Sequence, residues 1–137
     1  MRQLSLALAT AVSCLAGPLI AQDADADAGA GAALYTRYCA TCHGVTAEGG
    51  GPMSPSLVIQ PPDLTELSAR NNGVFPVVRV VMRIDGREPL VSHGSPMPVY
   101  GDFFEGDDAA VKAETGQPIL TSRAVVDLMA YLEGVQK

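Results

Sequence analysis

The sequence predicts one small, mostly helical domain with long loops rich in proline and glycine. Apolar residues recur at helical spacing in several segments, most clearly near the C-terminus. No segment shows a convincing strand pattern. The 10 Pro and 14 Gly include clusters between the helical segments, where they disfavour regular structure. The length of 137 residues suits a single all-α domain of three to five short helices.

The first 21 residues have the pattern of a cleaved secretory signal peptide. Arg2 precedes a mainly apolar run from Leu4 to Ile20, and the sequence turns polar directly after Ala21. We expect cleavage after Ala21 and export. The alternatives are an uncleaved anchor and a lipoprotein modified at Cys14. Only a retained or lipidated segment would hold the protein at a membrane.

The charge of the chain bears on its partners. The formal net charge is −6 at pH 7, and cleavage of residues 1–21 removes a base but no acid. An acidic product is repelled by phosphate, so we expect no nucleic-acid partner. A basic surface on a partner protein would attract it.

Residues 22–30 are small and acidic and predict a disordered leader, so we expect the folded domain to span 31–137. A helix is expected to begin near residues 28–31 and to run through residue 41. Leu34, Tyr35 and Tyr38 fall at helical spacing within it, and Gly44 suits a helix end.

The middle of the chain alternates loops with short helices. Residues 45–62 contain four prolines and three consecutive glycines, which predicts a loop. Asp63 is expected to cap a short helix over 64–70, closed by Asn71, Asn72 and Gly73. Residues 76–85 have a helical apolar pattern between a proline and a glycine, and predict a helix despite their β-branched content.

The C-terminal third begins with a loop-like stretch, 87–106. Asp107 or Asp108 is expected to cap a short helix that extends to about Glu114. The last helix is the clearest, because Thr121 suits its N-cap and an apolar stripe follows. That stripe consists of Val125, Leu128, Met129 and Leu132, with Tyr131 beside it.

The stretch CATCHG at residues 39–44 carries the chemistry. Cleavage removes Cys14, so Cys39 and Cys42 are the two cysteines of the mature chain. A structural zinc site needs four ligands, and the mature chain adds only His43 and His93. A redox dithiol belongs at the start of a helix after a strand, whereas this pair follows a helical pattern. Cys-x-x-Cys-His is instead the pattern of covalent haem attachment.

The sixth position of a haem iron requires a second ligand, and the chain offers several. Met129 and Met82 lie in helical patterns that favour core packing, and Met53 is only ten residues from His43. Met97 is flanked by two prolines in a loop and suits a ligand best. His93, four residues before it, is the alternative.

Six stretches, in this order, resemble the small bacterial class I cytochromes c. They are GAALYTRYCATCHG, GGGPM, PPDLTELSARNNGVFPVV, RIDG, SPMPVYG and VVDLMAYLEG, and they cover most of the chain from Gly31. The resemblance implies the cytochrome c fold, in which the N- and C-terminal helices cross beside a single covalently bound haem c. It also implies that Gly31 permits a close approach, with Leu34 or Tyr35 against Leu128 and Tyr131.

The resemblance further implies a role for each site residue. Cys39 and Cys42 would form the thioether links, His43 would be the proximal iron ligand and Met97 the distal one. A proline carbonyl from the following loop would orient the imidazole, and Pro52 or Pro55 would supply it.

An iron bound by His and Met has no free position for a substrate. The implied function is therefore that of an electron carrier, not an enzyme, working between redox-partner proteins in the periplasm. An acidic run after Met97, DFFEGDD, either steers the protein to a basic docking surface or is an ordinary solvated loop. The alternatives are a haem subunit of a larger oxidoreductase and a haem enzyme or sensor whose sixth ligand is displaceable.

Overall fold

The computed structural model describes residues 26–87 and 97–137. Four helices are present there: α1 (Ala28–Tyr38), α2 (Ala40–His43), α3 (Val77–Asp85) and α4 (Arg123–Gly134). A two-stranded antiparallel sheet, β1 (Asp108–Lys112) and β2 (Pro118–Ser122), precedes α4. The mostly helical architecture is confirmed. The proposed signal segment and the leader up to residue 25 lie outside the described residues.

The two terminal helices cross at a glycine. A Cβ atom at Gly31 would lie 2.0 Å from the backbone oxygen of Asp127, so only glycine lets α1 approach α4 this closely. Beside this contact the rings of Tyr35 and Tyr131 pack with their centroids 5.0 Å apart. Leu128 is fully buried at the same interface. The close approach that the family resemblance implies is confirmed.

Aspartates fix the start of α1. The Asp27 carboxylate accepts hydrogen bonds from the N–H groups of Gly29 and Ala30, and so caps the helix. The Asp27 N–H in turn donates to the buried Asp127 carboxylate at 2.9 Å. The helix begins at Ala28, three residues before the domain boundary expected from the sequence.

Helix α3 follows its sequence pattern closely. It begins directly after Pro76 and ends at Gly86, which has the left-handed φ of 82° that favours glycine at this position. Val77, Val81 and Ile84 are buried, so the predicted apolar face is the one that packs into the core.

The segment after residue 107 is a hairpin, and the predicted helix from Asp107 or Asp108 to Glu114 is wrong. β1 pairs with β2 in the register Asp108 to Ser122 and Lys112 to Pro118. Gly116 turns the chain with a φ of 85°. Cross-strand pairing with a segment of β-branched residues overrides the local helical preference of alanine. The sheet also shifts the N-cap of α4 from Thr121 to Ser122.

The predicted helix over 64–70 is also incomplete. The Asp63 carboxylate accepts hydrogen bonds from the N–H and hydroxyl of Thr65, which closes a local turn rather than a helix. A single 3-10 turn follows at Ala69–Asn71 and ends at Asn72, which has a left-handed backbone. The chain therefore turns at the position where Asn71, Asn72 and Gly73 were expected to end the helix. The Gln136 side chain binds the segment by accepting from the Ser68 N–H and donating to the Leu64 carbonyl.

No helix in the two described stretches is long and apolar enough to cross a membrane.

Replacing Gly31 with alanine should destabilise the protein by about 1–3 kcal/mol, because the added methyl group meets backbone that cannot rotate away. Urea unfolding would measure the loss. Gly134→Ala is the matched control, since no atom lies within 4 Å of a Cβ there. Equal free energies of unfolding for the two variants would contradict the described helix crossing.

Candidate functional site

The CATCHG segment lies at the junction of α1 and α2, on the wall of a cavity. Helix α1 ends at Tyr38, Cys39 caps it, and α2 carries the chain through His43 to Gly44. Cys39 and Cys42 are half-buried free thiols, and His43 is 9% exposed. All three line the same cavity. The motif predicted from the sequence therefore presents its thiols and imidazole to one space.

The cavity has a volume of about 360 Å³ and mainly apolar walls. Tyr35, Tyr38, Leu128 and Leu132 come from the crossing helices, and further walls come from α3, from loop 57–67 and from the loop that carries Met97. The residues contributed by those three regions are Leu57, Ile59, Gln60, Pro61, Pro62, Leu64, Leu67, Arg79, Val80, Arg83, Ile84, Met97, Pro98 and Tyr100.

The glycine-rich loop after the motif holds it in place. The carbonyls of residues at the end of α2 have no partners within so short a helix. The N–H groups of Gly49, Gly51 and Met53 donate to the carbonyls of His43, Cys42 and Thr41 in turn, at 2.8–3.1 Å. Gly51 must be glycine, since a Cβ atom there would lie 2.4 Å from the Thr41 oxygen. The loop therefore serves as the hydrogen-bond partner of the motif.

The His43 ring is oriented by a proline carbonyl. Its Nδ1 lies 3.3 Å from the oxygen of Pro62. Burial lowers the pKa of His43, and this outweighs the opposing effect of the Pro62 hydrogen bond. A neutral ring with its proton on Nδ1 donates to Pro62 and leaves the Nε2 lone pair available to a metal. The residue that fills this role is thus Pro62, and the expectation of Pro52 or Pro55 is corrected.

The Cys39 thiol does not have the electrostatics of a reactive redox cysteine. Burial, and next the charge of Cys42, raise the pKa of Cys39 to about 11. A reactive dithiol requires a lowered pKa instead. Within residues 26–87 and 97–137, no three His, Cys, Asp or Glu side chains are grouped to hold a metal ion.

Among the methionines of the described residues, Met97 is the one that lines the cavity. Met129 is 1% exposed and packs in the core, as its helical stripe predicted. Met53 is 46% exposed and does not reach the cavity wall. The alternative ligand, His93, lies outside the described residues.

Two arginines line the cavity and could pair with an anionic group bound there. Arg79 and Arg83 are one turn apart on α3 and both line the cavity. Arg70 and Arg87 do not line the cavity: Arg70 pairs with Glu66 at 2.7 Å, and Arg87 donates to the Asp85 carboxylate at 2.7 Å. The spacing of the α3 arginines is visible in the sequence, but only the packing of α3 shows that they reach the site.

The donor set and the walls fit a haem. Apolar walls suit its ring, two thiols one turn apart suit its attachment, and an oriented imidazole and a thioether sulfur are the ligands its iron takes. The guanidinium groups on α3 suit its carboxylates. Sequence reasoning missed the wall formed by residues 57–62, since no local pattern indicates that this loop returns to the motif.

The chain matches the family model described as "Cytochrome C oxidase, cbb3-type, subunit III" over residues 26–113, more than half of its length. No curated protein and no solved structure matches it significantly.

The substitution Gly51→Ala should destabilise the protein by roughly 2 kcal/mol, because the new methyl group meets the carbonyls of Ala40 and Thr41. Thermal and urea unfolding measure the effect. Gly50→Ala is the control: space is open there, and its φ of 67° costs about 1 kcal/mol for alanine. If Gly51→Ala were the milder of the two, the loop would not be held against the motif as described.

Proposed function

Because the chain belongs to the cytochrome c oxidase cbb3-type subunit III family, whose c-type cytochrome domain carries covalently bound haem c with iron, we propose that it is an exported monohaem electron carrier. A role in haem electron transfer follows from the family. In the finer statement, the periplasmic location rests on the predicted signal peptide, and electron carriage rests on the cavity. One observation supports it above the others: Cys39, Cys42, His43 and Met97 all line a single apolar cavity.

In this proposal Cys39 and Cys42 form thioether links to the haem, and His43 is the proximal iron ligand. The hydrogen bond from Nδ1 to the Pro62 carbonyl fixes the ring and makes the other nitrogen a better donor. The N–H groups of Gly49 and Gly51 donate to the carbonyls of His43 and Cys42, and so hold the backbone of the motif in place. The chain thus presents three attachment points in one fixed turn.

Met97 is the proposed distal ligand. When bound, the haem supplies one-electron chemistry through its ferric and ferrous states. The soft sulfur of Met97 favours the ferrous state, and apolar walls act in the same direction by disfavouring the extra charge of the ferric state. If His43 and Met97 both bound the iron, no position would remain for a substrate, and the protein would be a carrier and not an enzyme.

The second candidate is a haem subunit of a larger oxidoreductase, and the description of the matched family favours it. A permanent subunit would elute with its partner when native periplasmic extract is fractionated by size. A free carrier would elute at the size of a single chain of about 14.2 kDa or less.

The partners of the carrier are proposed to be redox proteins with a basic docking surface. The chain is acidic, and Asp102, Glu105, Asp107 and Asp108 are all exposed in one run. Such a surface accelerates encounter with a basic partner at low salt. An electron-transfer rate that does not change with salt would contradict this docking. The predicted signal peptide over residues 1–21 supports a periplasmic location, and a retained or lipidated segment would be the route to a membrane.

Replacing Met97 with alanine should abolish the Met–iron charge-transfer band of the ferric protein, lower the midpoint potential and let the ferrous protein bind carbon monoxide. The reason is that the sixth position is then open and has lost its soft ligand. Met53→Ala should change none of these, because Met53 lies outside the cavity wall.

A wild-type protein whose ferrous form already binds carbon monoxide, or whose ferric form lacks the Met–iron band, would contradict the role as an electron carrier. It would favour a haem enzyme or sensor. If the wild-type iron is low-spin but Met97→Ala leaves its spectrum unchanged, His93→Ala tests the bis-histidine alternative.

Removing the charge of Arg79 or Arg83 should lower the midpoint potential, because a nearby cation disfavours the ferric state. A charge about 10 Å away at an effective dielectric constant of about 20 is worth about 1.7 kcal/mol, or roughly 70 mV for one electron. Redox titration of Arg79→Gln and Arg83→Gln measures this. Arg70→Gln is the control, since Arg70 does not line the cavity and pairs with Glu66 at the surface.

A further inference from the structure

Tyr100 links the loop that carries Met97 to two other walls of the cavity. It lies three residues after Met97, and both residues line the cavity. Its N–H donates to the Ile84 carbonyl at 2.8 Å, near the end of α3. Its hydroxyl donates to the Tyr38 carbonyl at 2.9 Å, at the end of α1. One side chain and its backbone therefore connect three separate parts of the site.

Both acceptors are carbonyls in the last turn of a helix, which the helix itself leaves unsatisfied. Tyr38 is the residue directly before Cys39, so its carbonyl position is tied to that of the first thiol. Helix α3 ends at Asp85, so the Ile84 carbonyl lies in its last turn. Tyr100 satisfies both ends at once, and each bond would be lost if the loop moved away.

Packing restricts the same loop. The Tyr100 ring stacks on Phe104 with a centroid distance of 5.5 Å and meets Tyr38 edge-on at 6.1 Å. The next residue, Gly101, lies so close to α3 that a Cβ atom would be 2.6 Å from the Asp85 oxygen. These contacts leave the loop no room to shift without breaking the Tyr100 hydrogen bonds.

We propose that Tyr100 is a positioning residue. It keeps Met97 on the distal side of the haem by fastening the loop that carries Met97 to the residue before the CATCHG segment. The inference rests on the proposed role of Met97 as the distal ligand. A bond between a thioether and iron is weak and is lost when the loop opens, so an anchor three residues away sets how readily another ligand replaces it. Because Tyr38 directly precedes Cys39, the hydroxyl bond to the Tyr38 carbonyl also ties Tyr100 to the first thiol.

A second tyrosine provides the comparison. The Tyr35 hydroxyl donates to the Gly44 carbonyl at 2.6 Å, directly after His43. Tyr35 thus fastens the other end of the CATCHG segment, from α1 and not from the Met97 loop. Loss of its hydroxyl should weaken the fold around His43 but leave the Met97 loop anchored.

The test is the affinity of the ferric holoprotein for imidazole, which competes with Met97 for the iron. Tyr100→Phe keeps the ring and removes the hydroxyl bond. It should bind imidazole about fivefold more tightly than wild type, the factor that one net hydrogen bond contributes. Tyr100→Leu, which also loses the stacking on Phe104, should bind it more tightly still.

Two controls separate positioning from general stability. Tyr131→Phe alters a tyrosine that does not line the cavity, and Tyr35→Phe alters the anchor on the His43 side. Tyr131→Phe should leave the imidazole affinity as in wild type, and Tyr35→Phe should raise it by less than Tyr100→Phe does. An equal rise in affinity in Tyr100→Phe and Tyr35→Phe would overturn the inference, since general loosening would then explain it.

The outcomes also separate this inference from the proposed function. If wild type lacks the Met–iron band, the proposed distal ligand is wrong. If the band is present and Tyr100→Phe binds imidazole as wild type does, only the role of Tyr100 is wrong. Should the Tyr100 variants fail to fold, hydrogen exchange on wild type decides: the Tyr100 amide should be protected, and rapid exchange would overturn the anchor.

Discussion

The structure depends on one requirement at the CATCHG segment. Its backbone carbonyls and that of Tyr38 must find hydrogen-bond donors while its two thiols and its imidazole face an apolar cavity. Helix α2 is too short to supply those donors itself. They come instead from the preceding helix, from the glycine-rich loop and from the loop that carries Met97. The donors outside the segment are Tyr100 for Tyr38, Met53 for Thr41, Gly51 and Ser54 for Cys42, Gly49 for His43, and Tyr35 and Ala47 for Gly44. Each neighbouring element therefore has its position set by a carbonyl of the motif.

Much of the helical framework is predictable from local patterns. Pro76 and Gly86 bracket α3 because one fixes φ and the other accepts a left-handed φ, and both effects act within a few residues. The crossing of α1 and α4 follows from Gly31 only through the family resemblance, since a lone glycine in a helix does not specify its neighbour. The hairpin over 108–122 escapes prediction because each strand is short and its conformation is decided by the register with the other.

The candidate site divides in the same way. The cysteines and histidine can be identified from their spacing, since that chemistry is written in consecutive residues. Pro62 cannot, because its contact with His43 is made by a loop that returns across 19 residues. Arg79 and Arg83 are predictable only in part. Their spacing indicates that they share a face of α3, but the packing of that helix decides which face meets the cavity. Tyr100 carries no signal at all beyond its closeness to Met97, since its partner Tyr38 is 62 residues away.

The bond between the Asp27 N–H and the Asp127 carboxylate joins residues 100 positions apart. Helix α4 supplies the buried partner of α1, so the N-terminal part of the chain cannot complete its core until the C-terminal part has been made. Contacts of such long range delay folding, because the chain must close a very large loop before any of them forms. We therefore expect the two cysteines to remain accessible on an open chain until the last helix has been made. If they attach the haem as proposed, the late arrival of that helix would give the reaction a period of access.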